Sequence, residues 1–104
     1  MRPWDFEELE WDEDDDENGN AAHCLRHGVN EQVVSEVLME EPAEVDIGIK
    51  SAEYSVIGPD KSGRTWTLLF AHSSKRGDWL RPITGWLATP SELREWKNAR
   101  GRKQ

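Results

Sequence analysis

Six acids in a row, residues 12–17, constrain this chain more than any other feature. Neighbouring like charges repel, so such a run stays a solvated loop and the fold must form around it. The run closes a segment, residues 1–17, that carries ten acids and one base, Arg2, a net of −9. Residues 18–60 add eight acids against Arg26 and Lys50, a net of −6. Residues 61–104 reverse the sign, with ten bases against Asp78, Glu92 and Glu95, a net of +7. The overall charge of −8 therefore conceals a basic carboxy-terminal half able to face phosphate. Two readings of the acid run stay open: it keeps the chain soluble, or it is an arm that covers a basic site of the same molecule. On this pattern the chain divides into an acidic arm, 1–17, and one domain, 18–104, with a basic tail over 100–104.

A chain of 104 residues suffices for one compact domain. Its single cysteine, Cys24, excludes an internal disulfide and a tetrathiolate zinc centre. No window approaches ~18 apolar residues, and acids stand where a secretory signal needs a basic and then an apolar stretch. The expectation is a cytoplasmic protein with no membrane partner.

Phe6, Leu9 and Trp11 outline a short edge strand near 6–11. Asn18-Gly19-Asn20 reads as a turn or helix cap, followed by a helix over 21–27 that Gly28 stops. Asn30 caps a second helix with Val33, Val34, Val37 and Leu38 on one face, ending before Pro42. Residues 54–57 and 65–70 read as strands around a hairpin loop at 58–63. The run 79–86 is broken by Pro82 and Gly85, which predicts an edge or bulged strand. Thr89-Pro90-Ser91-Glu92 is a capping box opening a last helix, with Leu93 and Trp96 facing inward. The predicted fold is α+β: a small antiparallel sheet, two helices before it and one after, with the helices on one face.

His23 and His27 lie four apart, on one face of the first helix. Zinc needs a third ligand, and Cys24 points about 100° away from His23, so no metal is expected. The pair is either a helix cap beside a half-buried imidazole or a set of proton-transfer and ligand-contacting groups. Arg64 opens one strand and Arg81 lies in the next, so antiparallel pairing is expected to bring both to one sheet face. There their paired donors would suit a phosphodiester. The plain alternative pairs each with Glu53 or Asp78. Among the six tryptophans, Trp66, Trp86 and Trp96 read as core, and Trp79, beside Arg76 and Asp78, as a base-stacking platform. No glycine-rich phosphate loop or nucleophile motif stands out.

The succession Trp11-Asp12-Glu13, then His23-Cys24-Leu25-Arg26-His27-Gly28-Val29, then an amphipathic helix resembles the amino-terminal half of BrnT-like toxins. Tyr54-Ser55-Val56-Ile57-Gly58, Gly63-Arg64 and Arg81-Pro82-Ile83-Thr84 continue the likeness, which covers roughly residues 9–97. The resemblance implies a RelE-like fold, ribonuclease activity on messenger RNA without metal or cofactor, and a cognate DNA-binding antitoxin as partner. Its motif positions fall here on His23, Arg26, His27, Arg64, Arg81 and Thr84. The implied reaction is attack of an RNA 2′-hydroxyl on its phosphate, with His23 as base or acid and Arg64 and Arg81 stabilising phosphoryl charge. Arg26, His27, Thr84 and Trp79 would bind the RNA. Two features depart from the toxin pattern: the acidic insertion over 14–20, and Trp86 where such toxins often show a base. The alternative is a non-catalytic interaction module that keeps the fold.

Overall fold

Polar side-chain caps set where two of the α-helices begin. Asn30 accepts the backbone N–H of Val33 at 2.9 Å and starts the helix α2, Glu31–Met39. Thr89 and Glu92 satisfy each other's backbone N–H groups at 3.2 and 2.9 Å, the capping box that opens α3, Pro90–Gly101. The first helix, α1, runs Asn20–Arg26, and Gly28 follows it at φ +81°, a conformation only glycine adopts freely. A computed structural model describes residues 2–49 and 52–101, so the end of the expected basic tail lies outside the described residues.

The strands are β1 (Glu8–Leu9), β2 (Ala43–Glu44), β3 (Tyr54–Pro59), β4 (Thr65–His72) and β5 (Trp79–Leu87). They form one sheet in the order β1-β5-β4-β3-β2. All pairings are antiparallel except the outermost, where β1 runs parallel to β5. The α+β class holds, with a mixed sheet in place of the purely antiparallel one expected.

Alternation along β3 and β4 sends neighbouring residues to opposite faces. Val56, Trp66, Leu68 and Phe70 pack with Cys24, Val29, Val33, Val34 and Val37 beneath α1 and α2. Ile57, on the other face, packs with Ala43, Val45 and Trp96 beneath α3. Helices therefore cover both faces, a correction to the expected single helical layer. Both faces of the middle strands are buried, so those strands read as unbroken apolar runs that do not show which face each helix takes. Trp66 and Trp96 are core as expected, while Trp86 is half-buried with its indole N–H on Glu92 at 2.9 Å. That carboxylate also accepts the Thr67 hydroxyl at 2.9 Å, tying α3 to the sheet.

The acidic segment is built into the body. Phe6, Leu9 and Trp11 pack against the core under α1 and α2. Every residue from Glu13 to Asn18 is exposed.

Candidate cleft at the open edge of β5

β1 ends after two residues, and Glu10 N–H donates a last bond to the Leu80 carbonyl at 2.8 Å. From Arg81 onward no strand among the described residues pairs with β5 on that side. This reconciles Pro82 with its place in the sheet: the strand is interior at Trp79 and Leu80 and an edge thereafter. Leu69 opposes Thr84 and Phe70 opposes Pro82, so Ile83 is the extra residue of a bulge.

Asn20, the first residue of α1, closes the open edge. Its buried side-chain amide donates to the carbonyls of Glu10 and Pro82, both at 2.9 Å. Its carbonyl oxygen accepts the Asp12 N–H at 2.8 Å, and its own N–H donates to the Asp12 carboxylate at 2.9 Å. Arg81 locks this clasp. Its guanidinium meets Asp12 at 2.6 and 3.1 Å and Glu10 at 3.1 Å, and the second Glu10 oxygen accepts the Ser73 hydroxyl at 2.7 Å. Arg81 and then the Asn20 N–H hold the Asp12 carboxyl down at about 2. The Ser73 hydroxyl, together with Arg81, lowers that of Glu10. Asp12 foremost, with Glu10, raises the pKa of Arg81 in return.

A cleft of about 440 Å³ opens beside this clasp, with Asn18, Asn20, His23, Arg26 and Arg81 among its walls. His23 is half-buried, and its ring centroid stands 5.0 Å from that of exposed His27. Arg26 is exposed, and its guanidinium rests on the Glu17 carbonyl at 3.3 Å. Three expected site residues thus share one cleft: His23, Arg26 and Arg81. Thr84 lies along the same strand opposite Leu69. Trp79 is half-buried, with the Arg76 guanidinium 4.4 Å from its ring centroid.

Arg64 is elsewhere. Trp66 opposes Leu87 whereas Ala71 opposes Arg81, so Arg64 and Arg81 stand at opposite ends of the β4–β5 ladder, about 20 Å apart along the strand. The expectation that pairing would bring them together is corrected by this register. The alternative partners are corrected as well. Arg64 lies 3.6 Å from Asp60, Arg81 takes Glu10 and Asp12, and Glu53 meets His72 at 2.7 Å.

Asp60 and Asn20 are organising residues that the sequence reading did not single out. Asp60 is buried in the hairpin loop and accepts the N–H groups of Ser62 and Arg64, the Ser62 hydroxyl and the Trp66 indole N–H, between 2.6 and 3.0 Å. Burial pushes its carboxyl up, but the donors of Ser62, Trp66 and Arg64 outweigh burial and leave it at about 2. A signal was present in the spacing, since an aspartate two residues before serine in a glycine-ended loop suits a side-chain turn. Asp60→Ala should destabilise the fold by about 2 kcal/mol, because it strands the buried Trp66 donor. Urea unfolding measures this, and a midpoint equal to the wild type's would refute it.

No family model, curated protein or solved structure matches the chain. The cleft must therefore be read from its own chemistry. Among the described residues no group of three or more His, Cys, Asp or Glu is placed to hold a metal ion. No helix of the described residues is long and apolar enough to cross a membrane.

Proposed function

We propose that the chain is a cytoplasmic, metal-independent endoribonuclease of the BrnT-like toxin kind, with a RelE-like fold and a DNA-binding antitoxin as partner. The observation that carries this reading is the convergence of His23 and Arg26, from α1, with Arg81, from β5, on one cleft. An imidazole and two guanidiniums are the groups that phosphodiester cleavage by the neighbouring 2′-hydroxyl requires. The 2′-oxygen forms its bond to phosphorus as the bond to the 5′-oxygen breaks. His23 takes the 2′-hydroxyl proton while water protonates the leaving 5′-oxygen, or His23 protonates that oxygen while water takes the 2′-hydroxyl proton. Arg26 offers paired donors to the non-bridging oxygens. Arg81 joins it by exchanging Asp12 or Glu10 for phosphate. His27, Thr84 and Trp79 extend the contact along the RNA, and Arg64 meets its backbone farther away.

A specific observation favours a second reading, the non-catalytic module. Both terminal nitrogens of Arg81 are already held by carboxylates of the same chain. One experiment separates the two. Purified protein is incubated with RNA and a chelator, beside a substrate carrying 2′-deoxyribose throughout. The nuclease reading expects RNA fragments ending in 2′,3′-cyclic phosphate and an intact deoxy substrate. Intact RNA with folded protein would give the module reading the lead.

A further inference from the structure

We propose that the surface around the end of α2 is a docking groove for a basic, amphipathic helix of a protein partner. Two clefts, of about 440 and 240 Å³, adjoin there and share Trp4, Leu38 and Met39. The smaller extends the apolar floor over Phe6 and Leu9. Leu38, Phe6 and Leu9 are half-buried and rest on the core, so the floor is fixed, whereas Met39 is 79% exposed. An unbranched thioether that stands in solvent beside other apolar side chains suits a surface that moulds to an apolar ridge.

Charge selects the occupant. Glu7 and Glu8 border one end, and Glu40 and Glu41 the other. Against these four carboxylates stand Arg2, over the Trp4 ring at 5.6 Å, and Arg100, held by Glu41 at 2.6 Å. The last carbonyls of α2 add partial negative charge at the same place. Such a rim repels phosphate backbones and favours a ridge of apolar residues at i and i+4 flanked by lysine or arginine. The groove rests on this geometry alone and not on RNA cleavage, so its failure and that of the nuclease reading are seen in different experiments.

The test uses the full chain and labelled peptides of about 18 residues, five helical turns. One is an amphipathic leucine–lysine helix, one a serine–lysine peptide of equal charge, and one a leucine–glutamate helix. Fluorescence anisotropy should show the leucine–lysine helix binding at least about tenfold tighter than either control. Met39→Lys should weaken that binding about tenfold and leave thermal melting unchanged, because the side chain lies outside the core. A variant with Asp14, Asp15 and Asp16 replaced by asparagine should bind as the wild type does. Equal binding of the serine–lysine peptide, indifference to Met39→Lys, or loss of binding in the asparagine variant would each overturn the proposal.

Discussion

Arg81→Ala should melt about 10–20 °C below the wild-type protein, a large effect for one partly exposed residue. The arginine side chain is 31% exposed, and its partners Glu10 and Asp12 are 15% and 29% exposed. Removing the guanidinium leaves two carboxylates facing each other over the Asn20 amide. Breaking one side of a desolvated ion pair costs about 3–5 kcal/mol, and incomplete burial places this one at about 3 kcal/mol. The pH dependence identifies the cause. Asp12 and Glu10 have lowered carboxyl pKa values in the folded protein, so their stabilisation is present above the ordinary carboxylate range. It is lost as pH falls through the folded value, about 2 for Asp12. The gap between variant and wild type should therefore be widest near neutral pH and close toward pH 2. His23→Ala, which breaks none of these bonds, should melt as the wild type does while losing the proposed cleavage. Arg94→Ala, an exposed change on α3, is the control. Melting of Arg81→Ala within a degree or two of that control would show the clasp to be energetically idle.

Gly85→Ala should destabilise the protein by about 3 kcal/mol through overpacking alone. A methyl there would stand 2.5 Å from Leu68 Cδ2, 2.9 Å from the Thr67 carbonyl oxygen and 3.2 Å from Val29 Cγ2. Leu68 can turn aside, but the carbonyl belongs to the strand that pairs with β5 and cannot. The glycine lets the turn between α1 and α2 lie directly on the sheet. Gly77→Ala, with nothing within 4 Å, should be nearly neutral. Chemical denaturation of the two variants measures the difference, and equal midpoints would refute the close approach.

The elements that proved legible carry their own local signals. The Asn30 cap, the Gly28 stop and the Thr89–Glu92 box each fix a helix end through bonds within a few residues. β3 and β4 announced themselves as apolar runs around a glycine-ended loop. β2 did not, because its two residues follow Pro42 and owe their extended form to pairing with Val56 and Ile57. Pro82 and Gly85 correctly marked an irregular strand, although its two interior residues came from the parallel pairing with β1. The cleft was half legible. Residue type named His23 and Arg81, and the likeness to BrnT-like toxins added Arg26, yet Arg64 belonged to the other end of a ladder whose register no local pattern fixes. Glu10 and Asp12, which hold Arg81, stand just before the exposed residues of the acid run.

The parallel ladder between β1 and β5 has a consequence for how the molecule assembles. Its two registers, Glu8 with Trp79 and Leu9 with Leu80, join positions about 70 residues apart in the chain. The β3–β4 hairpin, by contrast, closes across a short loop. Loop-closure entropy grows with separation, and two residues of pairing offset little of it. The hairpin and its neighbour β5 can therefore zip first, leaving the amino-terminal segment to arrive afterwards. As chain leaves a ribosome, that segment waits in water until most of the domain has followed it, and its acids oppose aggregation during the wait. Arg81 then serves as a latch: it gathers Glu10 and Asp12 only once both ends of the sheet have been made.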